Sequence, residues 1–333
     1  MRWRLALAAL PVLIGIAAGA AFLWLDQSFR ASGPASAATI VEIPRGEGVR
    51  GISRRLAEAG VIAQPPLIFD LSLRLFGGSR PLRAGEYAFP AASSMAEVVV
   101  QLQEGRVLVH RLTVPEGLTV AQVLQLVAAE PALSGDLPPP PPEGRLLPET
   151  YGFARGDTRT ALVERMSDAM TRTLDEVMPR LAPGLPYATG DEVLTLASIV
   201  EKETGIASER PHIAGAFVNR LRLGMRLQSD PTVIYGLTQG RGPLERSLTR
   251  ADLERPTPFN TYVIPGLPPA PIANPGRAAI EAVLQPLSTD DLYFVADGSG
   301  GHAFARTLAE HNANVRRWLE GRRQGGGVPA PGP

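Results

Sequence analysis

Two carboxylates, Glu201 and Glu203, close the run Leu196-Ala-Ser-Ile-Val-Glu-Lys-Glu-Thr-Gly205. Val193, Leu196, Ala197 and Val200 recur at helical intervals before them. Asp191 is placed to cap the start of that helix, and Gly205 to end it in a left-handed C′ conformation. The acids then fall in the last turn, where the helix carries partial negative charge. A carboxylate is disfavoured there, and burial would push its pKa up further, toward the value a general acid needs near neutral pH. At roughly 100° per residue both acids flank the apolar face, Glu203 beside Leu196 and Ile199 and Glu201 beside Leu194 and Ala197. Spacing alone does not choose between them, and a solvated Glu-Lys-Glu surface is the competing explanation.

Other chemistries are thinly represented. The chain has no cysteine, which removes thiol nucleophiles, disulfides and thiolate metal sites. Its four histidines, His110, His212, His302 and His311, show no paired ligand spacing, so no metal and no cofactor are expected. Asp297-Gly-Ser-Gly-Gly301 lies between two strand-like segments, 292–296 and 302–305, with no helix directly behind it. It reads as a hairpin turn rather than a phosphate loop. A formal net charge of zero with no basic patch argues against nucleic acid.

The elements that must position the acids follow from hydropathy and turn residues. An uncharged apolar run, 5–25, behind Arg2 and Arg4, is long enough to cross a bilayer. The positive-inside rule leaves residues 1–4 in the cytoplasm and delivers the rest across the membrane. A cleaved signal peptide with Ala35-Ser36-Ala37 as its site fits less well, because the run is long and the site distant. A spacer, 26–38, leads to a strand at 40–43, a helix at 49–59, a second helix after Pro65-Pro66, a strand within 82–89 and a helix at 95–103 starting near Ser93 or Ser94. That order resembles a LysM-like module, assigned to 39–106. Val114-Pro-Glu-Gly117 echoes Ile43-Pro-Arg-Gly46, and Thr119 leads a helix at 120–127. Pro138–Pro142 forms a stiff exposed connection. Asn274 and Pro275 are placed as N-cap and N1 of a helix to about Leu284, and Thr307-Leu-Ala-Glu310 as a capping box. The tail, 323–333, is expected to be disordered.

Beyond the triplet, an ordered series of motifs spans most of the chain. It comprises Ala197–Thr204, Ser208-Glu-Arg210, Asn219-Arg-Leu221, Gly224-Met225, Leu227-Gln-Ser-Asp-Pro-Thr232, Tyr235-Gly236, Asn260-Thr-Tyr262, Gly266-Leu-Pro-Pro269, Ile272-Ala-Asn-Pro-Gly276, Tyr293-Phe-Val-Ala296, Gly301-His302, Phe304 and His311-Asn312. This series resembles the MltG (YceG-like) family of endolytic murein transglycosylases. The resemblance implies an α+β protein made of a membrane helix, a LysM-like module and a mixed α/β catalytic domain over 107–322. It also implies that the second glutamate of the triplet, Glu203, is the catalytic acid and then base, with Glu201 as a neighbour whose charge helps keep it protonated. One carboxyl group suffices for such chemistry, because the 6-hydroxyl of the same muramoyl sugar is the nucleophile.

The expected substrate is nascent peptidoglycan, cut at MurNAc-GlcNAc β-1,4 bonds to leave 1,6-anhydro ends on the periplasmic side of the inner membrane, beside glycan polymerases as partners. Gln228, Asp230, Tyr235, Asn260, Tyr262 and Asn274, on loops rich in glycine and proline, are the candidate sugar-binding or supporting residues. Glu149 in Pro148-Glu-Thr-Tyr151, where the family pattern has an acidic residue, is the second candidate carboxylate. A hydrolytic muramidase pairing Glu203 with Glu149 or Asp230, and a non-catalytic wall-binding scaffold, are the alternatives.

Overall fold

The structure, a computed structural model, describes residues 2–324, with the side chains of 10–321. The tail beyond 324 lies outside the described residues, and 323 and 324 continue a helix rather than belonging to a disordered end. The chain divides into two compact units, Met1–His110 with Gly152–Asp157, and Arg111–Tyr151 with Thr158–Pro333.

In the first unit, helix α1 (Arg2–Arg30) runs past the expected end at Leu25. Asp26 and Arg30 pair at i,i+4 (2.9 Å), and Leu25 and Phe29 are buried, so the last turns pack on protein. Among the residues whose side chains are described, Leu10–Arg30 is long and apolar enough to cross a membrane by length and composition. Strand β1 (Thr39–Ile43), helices α2 (Val49–Glu58) and α3 (Pro66–Phe76) and strand β2 (Gly85–Phe89) follow in the expected order. β1 and β2 pair antiparallel with Thr39 opposite Phe89 and Ile43 opposite Gly85. Helix α4 (Met95–Glu104) opens on a capping box between Ser94 and Glu97, and buries Met95, Val98, Val99 and Leu102 at i, i+3, i+4 and i+7. Phe29, Leu56, Phe69, Tyr87 and Phe89 complete this core.

The boundary drawn at 106/107 misses the return of Gly152–Asp157 to this unit. Glu86 explains the return, because a nearly buried carboxylate requires donors. It accepts from His110 (2.5 Å) and Arg155 (2.9 Å), and Phe153 stacks on His110. Burial would raise the Glu86 pKa, yet those bonds outweigh it and hold the carboxyl below its ordinary value. Strands β3 (Val109–Thr113) and β4 (Thr150–Ala154) pair with each other, and the chain passes between units within each of them.

The second unit is built on helices. After α5 (Val120–Ala129), capped by Thr119 and Gln122, comes α6 (Arg159–Val177), a 19-residue helix absent from the expectations above. Helix α7 (Gly190–Glu203) is buried at every position from Val193 to Val200, which marks it as the central element. It packs against α8 (Arg210–Arg222), α9 (Asp230–Thr238) and α11 (Arg277–Leu284), the short α10 (Arg250–Glu254) lying between α9 and α11 in the chain. Met170, Leu174, Leu196, Val200, Ile213, Phe217, Ile280 and Val283 form the core around it. Strands β5 (Tyr293–Ala296) and β6 (His302–Ala305) form the expected antiparallel hairpin, and Asp297 accepts the N–H groups of Ser299 and Gly301 in its turn. Helix α12 (Leu308–Gln324) closes the described chain behind Thr307 and Glu310, which cap it as expected.

Candidate functional site

The helix carrying the two acids starts and stops on threonines, not on the residues expected. Thr189 is its N-cap, with Glu192 completing a capping box, while Asp191 pairs instead with Arg145. At the other end Thr204 turns extended (φ −144°, ψ 135°), so Gly205 is not needed as a left-handed stop. The Thr204 hydroxyl accepts from Ile206 N–H (3.0 Å) and donates to Glu209 (3.1 Å), which supplies the turn by side-chain bonding.

The last turn sends its two acids to different tasks. Glu201 is nearly buried and fully engaged: Oε1 accepts from Arg210 Nη2 (2.8 Å) and Oε2 from Gly276 N–H (3.0 Å). Burial raises its pKa, with the Gly276 N–H and Arg210 opposing. Glu201 therefore ties α7 to α8 and to the start of α11. The charge that adds to the protonation of Glu203 comes from Asp230 instead.

Glu203 accepts one hydrogen bond, from Ser229 Oγ to Oε1 (2.5 Å). Desolvation dominates its titration, the Asp230 carboxylate adds to the rise, and the Ser229 hydrogen bond with the charges of His302 and Arg220 opposes it. The result is a carboxyl pushed up to about 7. Near neutral pH it holds its proton for about half the time, as a group that both gives and takes a proton requires.

The surroundings act on that carboxyl from two sides, one holding its hydrogen-bond donor and the other carrying the charges of His302 and Arg220. On one, Ser229 is buried in a loop clamped by Thr261, whose Oγ1 accepts from Ser229 N–H (2.9 Å) and whose carbonyl accepts from Gln228 N–H (3.1 Å). Thr232 Oγ1 lies 2.8 Å from Thr261 Oγ1 and donates to the Ser229 carbonyl (2.6 Å). Gln228 sits at φ +52°, a left-handed conformation that disfavours a side chain by about 1–2 kcal/mol, and its exposed side chain adjoins the acid's hydrogen-bond donor. On the other side, Glu209 accepts from His302 through both the backbone N–H and Nδ1, each at 2.8 Å. Burial would raise the Glu209 pKa, but these bonds hold it low. Buried Arg220 donates to the carbonyls of Leu292 and Leu227 (both 2.6 Å) and lies 5.3 Å from the centre of the Tyr293 ring.

The remaining candidates separate into groups. Asp230 is exposed and accepts from Tyr262 Oη (2.7 Å), so both stand with Glu203 and Gln228 in one neighbourhood. Tyr235 lies on the same helix as Asp230, but its hydroxyl goes to Glu143 (3.2 Å) and its ring packs on Phe259. Asn260 and Asn274 are fully buried, so neither amide can reach a ligand. Asn260 Nδ2 donates to the carbonyls of Asp252, Leu253 and Arg255, and its Oδ1 accepts from Tyr262 N–H. Asn274 bonds the Leu118 carbonyl and Leu146 N–H, which leaves Gly276, not Asn274, as the N-cap of α11. Glu149 stands outside the Glu203 network and lines a separate cleft with Glu116 and Arg172.

Ser229, Thr261, Thr232, Glu143 and Glu209 are the side chains that sequence reasoning missed. Ser229 lies between two candidates, Gln228 and Asp230, yet Ser-Asp-Pro reads as an ordinary helix start. Thr261 and Glu143, and the further bonds of Thr232 and Glu209, involve partners distant in sequence, for which the chain carries no local signal.

Comparisons with known proteins agree with this architecture. The model of the YceG-like family matches residues 41–317. A protein of Bacillus subtilis (strain 168) named endolytic murein transglycosylase is 29% identical over 340 residues, covering 92% of each chain. A protein of the same name from Streptococcus pneumoniae (serotype 2, strain D39) is 30% identical over 323 residues, covering 83% of this chain and 57% of that longer one. A crystal structure of a YceG-like protein from Listeria monocytogenes superposes with a TM-score of 0.53 at 32% identity, covering 84% of this chain and 99% of that one.

Proposed function

The chain belongs to the YceG-like family, and from that premise we propose that it is a membrane-anchored lytic transglycosylase that cuts peptidoglycan glycan strands internally, with Glu203 as acid and then base. Relatives named endolytic murein transglycosylases support the reaction class. The observation that carries the role of Glu203 is its carboxyl, raised to about 7 and oriented by Ser229 through a single oxygen.

In the first step the Glu203 proton passes to the bridging oxygen of a MurNAc-GlcNAc β-1,4 bond. The C1–O bond breaks, and positive charge develops on C1 and the ring oxygen of the muramoyl sugar. Asp230, exposed and acting electrostatically on Glu203, is the anionic group available to stabilise that charge. In the second step the Glu203 carboxylate takes the proton of the 6-hydroxyl of the same sugar while that oxygen bonds to C1. The products are a 1,6-anhydro end and a free 4-hydroxyl on the GlcNAc, with no water consumed. Because the nucleophile is intramolecular, no second carboxyl is required to activate it. A muramidase using Asp230 as its second carboxylate is the competing enzyme, and it differs in its product.

The apolar helix Leu10–Arg30 supports a single-pass anchor with the soluble units on the periplasmic side of the inner membrane. The strand-helix-helix-strand order of the first unit supports a LysM-like module that positions or binds glycan. Glycan polymerases working at the same membrane are the proposed partners, a proposal that co-purification without any polymerase would overturn.

Mass spectrometry of strands digested by wild type and by Glu203→Gln tests the mechanism. Anhydro ends that disappear in the variant are expected. Reducing ends, or undiminished cleavage by the variant, would refute it; a wild type that binds strands without cutting them would favour a scaffold.

A further inference from the structure

A cleft with a cavity volume of about 400 Å³ lies beside the last turn of α7, within the size range of small-ligand sites. Its connection to that turn is direct. Arg210 Nη2 bonds both Glu201 on α7 and Glu116 in the cleft wall (2.8 and 3.0 Å). Gly276 donates to Glu201, and the next residue, Arg277, lines the cleft. The wall also carries Glu149, Arg172 and Glu176. Two of the three acids are answered within the protein: Glu176 takes a two-pronged bond from Arg277, and Glu116 pairs with Arg210. Glu149 and Arg172 remain. Both are exposed, and neither has an ion-pair partner among the described residues.

One unanswered anion and one unanswered cation in the wall of an amino-acid-sized cleft form a receptor for a group carrying both charges. Substrate chemistry supplies such a group, because the muramoyl sugar whose C1 reacts also bears the peptide that branches from the strand. We propose that this cleft binds a zwitterionic amino-acid group of that peptide, Arg172 taking the carboxylate and Glu149 the ammonium. The proposal rests on the peptidoglycan reading above. It explains why Val114-Pro-Glu-Gly117 and Pro148-Glu-Thr-Tyr151, which proton transfer at Glu203 does not use, bring their acids to one place. A bidentate guanidinium selects the carboxylate, and the opposed glutamate rejects a ligand that is only anionic.

The test is calorimetric titration of the full chain in detergent with two probes. One is muramyl tripeptide ending in meso-diaminopimelate, which carries a free ammonium and carboxylate, and the other is muramyl dipeptide, which lacks that residue. The tripeptide is expected to bind at least tenfold more tightly. Arg172→Ala and Glu149→Ala should each remove most of that advantage, and Arg172→Lys should restore part of it. Equal affinity for the two probes, no binding of either at millimolar concentration, or a tripeptide advantage that survives both alanine variants with unchanged circular dichroism would overturn the proposal. Cleavage products measured in parallel keep the two readings apart. A tripeptide advantage without anhydro ends removes the catalytic reading alone, and anhydro ends without the advantage remove the cleft alone.

Discussion

Replacing Glu203 by Gln should stabilise the protein, and by an amount that depends on pH. The carboxyl is raised from 4.5 to about 7, chiefly by desolvation. An acid whose folded pKa lies above its unfolded value favours the folded state while protonated, and that contribution is lost as pH rises from about 4.5 through about 7. At one pKa unit per 1.36 kcal/mol, the full difference is about 3 kcal/mol, most of which falls between pH 5 and pH 8. Gln keeps the shape and can still meet Ser229 Oγ, but never ionises, so the gain over wild type should be small at pH 5 and large at pH 8. For a unit of this size 1 kcal/mol moves Tm by roughly 2–4 °C, so the advantage should grow by about 5–10 °C across that interval. Scanning calorimetry of both proteins at the two pH values, following the transition of the catalytic unit, measures it. An equal Tm difference at pH 5 and pH 8 would mean that Glu203 does not titrate between them, and the argument for a general acid would fall with it.

Asp230→Asn removes a charge that raises the Glu203 pKa, so the alkaline limb of the pH-rate profile should move to lower pH; Ser229→Ala removes a bond that lowers the pKa and should move the limb the other way, with a rate loss of about tenfold from lost orientation. Arg210→Ala leaves the nearly buried Glu201 without its cation and should cost about 3–5 kcal/mol in urea unfolding, a cost that Glu201→Gln added to it should relieve in part. Gly215→Ala would set a Cβ 2.4 Å from the Leu287 carbonyl oxygen, a backbone atom with little room to yield, and should cost about 1–3 kcal/mol in the same assay.

Much of the local architecture was legible in the chain because its causes are local. Ser94 with Glu97, Thr119 with Gln122 and Thr307 with Glu310 start helices through bonds spanning three residues, so the residues involved announce them. The β5-β6 hairpin follows from five residues, Asp297 to Gly301, and the apolar helix from an uninterrupted run. Helix α6 was equally readable, since Leu162, Val163, Met166, Met170, Leu174 and Val177 recur at helical spacing. The family, and with it the choice of Glu203 over Glu201, came from the ordered motifs and not from periodicity, which places both acids alike.

What only the tertiary structure decided depends on partners far apart in sequence. Thr189 caps α7 in a box with Glu192, a local cause, whereas the partner that Asp191 takes, Arg145, lies 46 residues away. Asn274 does not cap α11 because Leu118 and Leu146 hold its amide. Glu201 and Glu203 differ by two positions, yet one meets Arg210 and the Gly276 N–H while the other meets Ser229 beside Asp230. Desolvation and partner charge set a carboxyl's pKa, and both are properties of the packed surroundings. The chain therefore specified that two acids stand at the end of a helix, and folding gave them different partners and carried Glu203 up to about 7, chiefly by desolvation.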